Sequence, residues 1–96
     1  MTIRLLTNAS TGNGEAKYSD GRSYNFMLWG EFDGATVTLQ QSPDEGDTWI
    51  DIPMGSGVAA FTDEATLIID FLGVGTQIRA AITGEGASTS LSAALF

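Results

Sequence analysis

The chain is predicted to be all-β, a single antiparallel β-sandwich of about seven or eight short strands, Ig-like or jelly-roll-like. Three observations predict it. Apolar and polar residues alternate in segments that recur about every ten residues, the rhythm of sandwich strands joined by tight turns. Twelve glycines among 96 residues, with many Ser and Thr, punctuate those segments. No stretch carries the 3.6-residue apolar period over the length of a helix.

Ile3 to Leu6 reads as a short first strand, followed by Thr7 to Gly14 (TNASTGNG), a run of small turn-formers expected to be a loop or mobile arm. Residues 1–22 are therefore taken as an N-terminal strand and flexible arm, and residues 23–96 as the sandwich. From Ser23 onward, Tyr24, Phe26 and Leu28 share one face and Met27 and Trp29 the other, which suggests a strand buried on much of both faces. After Gly30 to Gly34, the Thr36–Gln40 segment points Val37 and Leu39 inward. Ile50 and Ile52 are expected inward and Asp51 outward, until Pro53 ends ladder pairing. Val58 to Phe61 reads as one more strand, and Thr66 to Leu72 as another with Leu67, Ile69 and Phe71 on one face. Beyond Gly73-Val74-Gly75, Ile78, Ala80 and Ile82 alternate inward. After the Gly84-Glu85-Gly86 turn, the last strand sets Leu91, Ala93 and Leu95 against Ser90, Ser92, Ala94 and Phe96.

Residues 42 to 49 (SPDEGDTW) match the S-x-D-x-G-x-T-W Asp-box at each fixed position: Ser42, Asp44, Gly46, Thr48 and Trp49. A tight connection between strands leaves amides without ladder partners. The Asp44 carboxylate is placed to accept amides two or three residues on, Gly46 to take a positive φ, and Trp49 to cover the turn. The motif occurs once, in a chain too short for a propeller of such blades, so it reports a hairpin and not an activity. A cation site from Asp44, Glu45 and Asp47 is the competing reading, and their spacing does not match an EF-hand loop.

Composition excludes several classes. Without Cys there is neither a disulfide nor a thiolate metal site, and without His the commonest general base and zinc ligand are gone, so an enzyme is disfavoured and no cofactor is expected. The net charge of −8 is uneven. Up to Glu31, the bases Arg4, Lys17 and Arg22 balance Glu15, Asp20 and Glu31; from Phe32 onward only Arg79 opposes the acids. Nucleic acid and anionic membranes are disfavoured partners, since both require clustered Lys and Arg. The N-terminal apolar run is too short for a signal peptide, which points to synthesis in a cytoplasm without secretion.

Other constellations have plain structural readings. The glycines at 30 and 34 and at 84 and 86 lack a following helix to hold a phosphate. Asp63, Glu64 and Asp70 lack a His, a Cys or a desolvating pocket in sequence. Tyr24, Phe26, Trp29 and Trp49 would suit a sugar platform only if exposed, and core packing accounts for them otherwise. Met27, Trp29 and Phe96, with the cations Arg4, Lys17 and Arg22, are the candidate contacts for a partner chain.

The stretch Trp29 to Asp44 (WGEFDGATVTLQQSPD), the Trp49 that closes the Asp-box, Gly75 to Ala80 (GTQIRA) and Gly86 to Ala93 (GASTSLSA) resemble small β-rich virion proteins of tailed bacteriophages. The likeness spans roughly residues 24 to 96 and lies in turn and core positions, so it transfers no catalytic residues. It implies a virion structural protein: a capsid decoration or cement subunit, forming a trimer or dimer that binds the major capsid protein or other virion proteins. A neck, tail or fibre-associated component is the alternative, and a carbohydrate-binding module a more distant one. Arg4, Lys17 and Arg22 would then order against the capsid while the acidic remainder faces solvent.

Overall fold

The computed structural model describes residues 2–19, 23–54, 57–69 and 76–96. Two antiparallel sheets face each other, as the alternation predicts. The first holds four strands in the order β1 (Ile3–Ala9), β12 (Ser90–Leu95), β4 (Tyr24–Glu31) and β10 (Ala65–Ile69). The second is built on β11 (Gln77–Thr83) and β5 (Thr36–Ser42). Two-residue strands flank that pair: β2 (Gly12–Asn13) and β3 (Lys17–Tyr18) beside β11, β6 (Ile50–Asp51) and β9 (Ala60–Phe61) beside β5. A separate small hairpin joins β7 (Pro53–Met54) to β8 (Gly57–Val58).

One core lies between the sheets. Tyr24, Phe26 and Leu28 from β4, Leu91, Ala93 and Leu95 from β12, Val37 and Leu39 from β5, and Ile78, Ala80 and Ile82 from β11 are all buried, each on the face its alternation assigns. The ring of Phe26 meets that of Phe61 at 5.4 Å between centroids. Apolar area removed from water is the main favourable term in folding, and these facing positions supply it.

The N-terminal segment departs from the expected arm. Leu5 and Leu6 belong to the core, β1 continues to Ala9, and its partner is the C-terminal strand, with Ile3 opposite Leu95. Gly12 and Asn13 then pair with Ile82 and Ala81, and Lys17 and Tyr18 with Ile78 and Gln77, so residues 3–18 cross from one sheet to the other. Small residues allow this close approach: a Cβ on Gly14 would overlap the Leu5 carbonyl oxygen and sit 2.9 Å from Leu6 Cδ2. The boundary drawn between an arm and a sandwich at residue 22 therefore does not divide the described structure. The run of small polar residues signals tight turns and crossing strands, which share the composition of a mobile loop.

Further differences have local causes. Val58 to Phe61 is not one strand; β8 pairs with β7 and β9 with β5. Between them Ala59 closes a ring of three backbone bonds, in which Leu39 N–H donates to Ala59, Ala59 N–H to Ile52, and Ile52 N–H to Leu39, at 2.8–3.0 Å. That ring joins three buried residues where a regular ladder would leave amides unpaired. Ile50, expected inward, is 55% exposed, although Ile52 is buried. Ile50 stands opposite Gln41 and lines an open hollow with Pro43, Ile52 and Thr76, so its side chain stays in contact with solvent. β4 is buried on one face only, with Met27 and Trp29 exposed on the other. β12, conversely, buries both: Ser92 and Ala94 are covered on its outer side. The part of the Thr66–Leu72 strand beyond Ile69, the Gly73-Val74-Gly75 break and Arg22 lie outside the described residues.

Candidate functional site

The Asp-box forms a closed polar turn between β5 and β6. Gly46 has φ +95° and Glu45 φ +59°, a left-handed pair that turns the chain. Ser42, fully buried, is its hub. The Ser42 hydroxyl accepts the Gly46 amide at 2.8 Å and the Asp44 amide at 3.3 Å, and donates to Asp44 Oδ1 at 2.9 Å. Asp44 accepts the amide of Thr48, four residues on, at 2.7 Å. The amides two and three residues beyond Asp44 do not go to its carboxylate as expected: Gly46 N–H donates to Ser42 and Asp47 N–H to the Asp44 backbone carbonyl at 3.4 Å, because the left-handed turn at Glu45 and Gly46 carries the chain round so that the carboxylate meets Thr48 instead. Bonds from Thr48, and then from Ser42, hold the Asp44 carboxyl below its ordinary pKa.

Trp49 covers this turn, its ring beside Gly46, and Arg79 stands over the same ring at 4.2 Å from the centroid. Arg79 Nε donates to Gln40 Oε1 at 2.8 Å, and Gln40 Nε2 to Asp51 Oδ1 at 2.9 Å. This chain of contacts seals the outer face of the β11–β5 sheet, and partial burial lowers the Arg79 pKa. Among the described residues no group of three or more His, Cys, Asp or Glu is arranged to hold a metal ion.

The outer face of the four-stranded sheet is different. Register partners point to the same side of a sheet. Thr66, Met27, Ala94 and Arg4 therefore form one outward row across all four strands, and Ile68 and Asn25 another, which the paired Asn25 and Phe96 backbones extend to Phe96. Trp29 and Ser92 form a third. Arg4 reaches over the covered Ala94 to the Trp29 ring, 5.4 Å from its centroid. Met27, Trp29, Ile68 and Phe96, from 37% to 64% exposed, make this face the apolar one.

Four of the six residues singled out as partner contacts, Arg4, Met27, Trp29 and Phe96, thus come together on one face. Lys17 does not join them; it sits on β3 beside the other sheet, paired with Glu15 at 3.2 Å. Arg22 is not among the described residues. Ile68 is the most exposed large apolar residue of the face and was not singled out, although Leu67 and Ile69 inward already require Ile68 outward. Of the aromatic candidates for a sugar platform, Tyr24 and Phe26 are buried and Trp49 is half-buried over its own turn beneath Arg79, which leaves Trp29, exposed although Arg4 stands over its ring. Comparison with protein-family models, curated proteins and solved structures found no match to this chain.

Proposed function

We propose that this chain is a structural virion protein of a tailed bacteriophage, without enzymatic activity, that decorates the outer capsid surface. It docks on the major capsid protein or a neighbouring virion protein through the outer face of the four-stranded sheet. The observation that carries the reading is the gathering of Arg4, Met27, Trp29, Ile68 and Phe96 on one side of a chain whose net charge is −8. An exposed aromatic and apolar patch with one arginine has the composition of a protein interface, while the net negative charge keeps particles apart in solution. The resemblance of residues 24–96 to phage virion proteins supplies the class of partner. The chain is made in the host cytoplasm and carried on the virion, as a trimer or dimer.

Co-sedimentation with capsids purified from phage lacking this chain tests the reading. The native chain pellets with them, and a Met27→Glu, Trp29→Ala double variant that keeps its circular dichroism spectrum stays in the supernatant. Quantitative mass spectrometry of virions separates the locations: copies comparable to the major capsid protein fit a decoration layer, whereas a few copies per particle would move the chain to neck, tail or fibre. Absence from the virion would refute the proposal.

A further inference from the structure

Edge strands present unpaired N–H and C=O groups, and folded chains blunt them with bulges, charges, proline or brevity. Most edges here are blunted. β1 breaks register twice, between Arg4 and Leu6 and between Leu6 and Ala9. On the second sheet, β2, β3, β6 and β9 are two residues each. β10 is the exception: Ala65–Ile69 runs in unbroken register with β4, without Gly, Pro or a charged residue.

Backbone parity shows what this edge offers. Asn25 exchanges bonds of 3.1 and 3.0 Å with Phe96, so its backbone groups face away from β10. Alternation turns those of Tyr24, Phe26 and Leu28 toward β10, where Ile69, Leu67 and Ala65 are their register partners. The N–H and C=O groups of Thr66 and Ile68 consequently point outward, and no strand among the described residues pairs with them. Beside them is a hollow lined by Met27, Leu28, Trp29, Glu64, Ala65 and Thr66. Its aromatic and thioether walls suit the stem of a long side chain, and the Glu64 carboxylate suits a cationic head. Glu31 and Asp63 lie exposed at the same end.

We propose that the outer edge of β10, unpaired among the described residues, accepts an extended, basic segment of a different chain as a fifth strand of this sheet, with a lysine or arginine seated in the hollow between Trp29 and Glu64. Main-chain bonds to Thr66 and Ile68 supply affinity, and the hollow supplies selection. A second copy is a poor occupant, because it would bring its own Asp63 and Glu64, and another net charge of −8, to this edge. The inference does not rest on the virion reading: capsid binding and strand addition can fail separately.

The test titrates the isotopically labelled full chain with a short capped peptide of alternating lysine and valine, followed by NMR. Amide shifts and slowed exchange are expected at Thr66 and Ile68. Replacing lysine by glutamate, or methylating alternate peptide amides, should weaken binding roughly tenfold or more. Ile68→Pro removes one outward N–H and none of those facing β4, so it should lose binding with the spectrum elsewhere unchanged. Glu64→Gln should weaken the lysine peptide severalfold. No binding of the lysine peptide, equal binding of the glutamate or methylated peptide, shifts confined to another surface, or a homodimer dispersed by Ile68→Pro would overturn the proposal.

Discussion

Both outer faces of the sandwich carry one tryptophan with one arginine over its ring, and the two pairs have different surroundings. At Trp49, Arg79 is bonded onward through Gln40 to Asp51, and the ring also roofs the Asp-box turn. At Trp29, the Arg4 guanidinium makes no hydrogen bond or ion pair among the described residues, and apolar neighbours stay exposed. A cation over an aromatic ring contributes about 0.5–1 kcal/mol at an exposed site and more where the pair is desolvated. What differs is the polar network joined to the arginine, which runs on to Gln40 and Asp51 at Trp49 and has no counterpart at Arg4 among the described residues. The first pair closes a surface, and the second leaves one open.

Alanine at each tryptophan breaks this comparison most sharply. Trp49→Ala should destabilise the fold by about 2–3 kcal/mol, since a half-buried indole, its turn cover and its arginine contact are lost together. Ser42→Ala comes next, at about 1–3 kcal/mol, because the buried hydroxyl is the acceptor of the Gly46 amide. Both are read from urea unfolding midpoints. Trp29→Ala should cost less by the same measurement, about 1–2 kcal/mol, because its ring, though largely covered, roofs no turn and its arginine is bonded no further. A loss at Trp29 equal to that at Trp49 would abolish the distinction between the faces.

The smallest effect is acid sensitivity at the polar turns. Asp44 is held below its ordinary pKa by Thr48 and Ser42, and Glu85 by the hydroxyl of Thr11. A carboxyl whose pKa is depressed in the folded state contributes stability that is present above its unfolded pKa and lost as the pH falls through the folded one. Unfolding midpoints should therefore fall as the pH drops below about 4. The fall should be shallower in Asp44→Asn, whose amide does not titrate. An identical pH profile in that variant would remove Asp44 from the acid response.

Alternation made much of the core legible, because a strand with one buried face shows it at every second residue. Tyr24, Phe26 and Leu28 were readable in this way, as were Ile78, Ala80 and Ile82. The Asp-box was legible as a turn because its residue types meet local backbone demands, although the division of bonds between Ser42 and Asp44 depends on the conformation the chain adopts. Thr7 to Gly14 was misread, since small polar residues serve a loop and a crossing between sheets equally well. Arg4, Met27, Trp29 and Phe96 could be chosen singly as exposed or basic residues, but nothing local joins positions 4 and 96.

By itself, then, the sequence determined the all-β class, most inward-facing residues of the long strands and the site of the tight hairpin, because each depends on neighbours within a few residues. Only the tertiary structure decided that the first and last strands pair, that Arg4 lies over Trp29, and that β10 ends its sheet with two residues' backbone groups pointing outward. Those properties depend on strand order, and alternation, which repeats identically in any sheet arrangement, carries no information about which strands are neighbours.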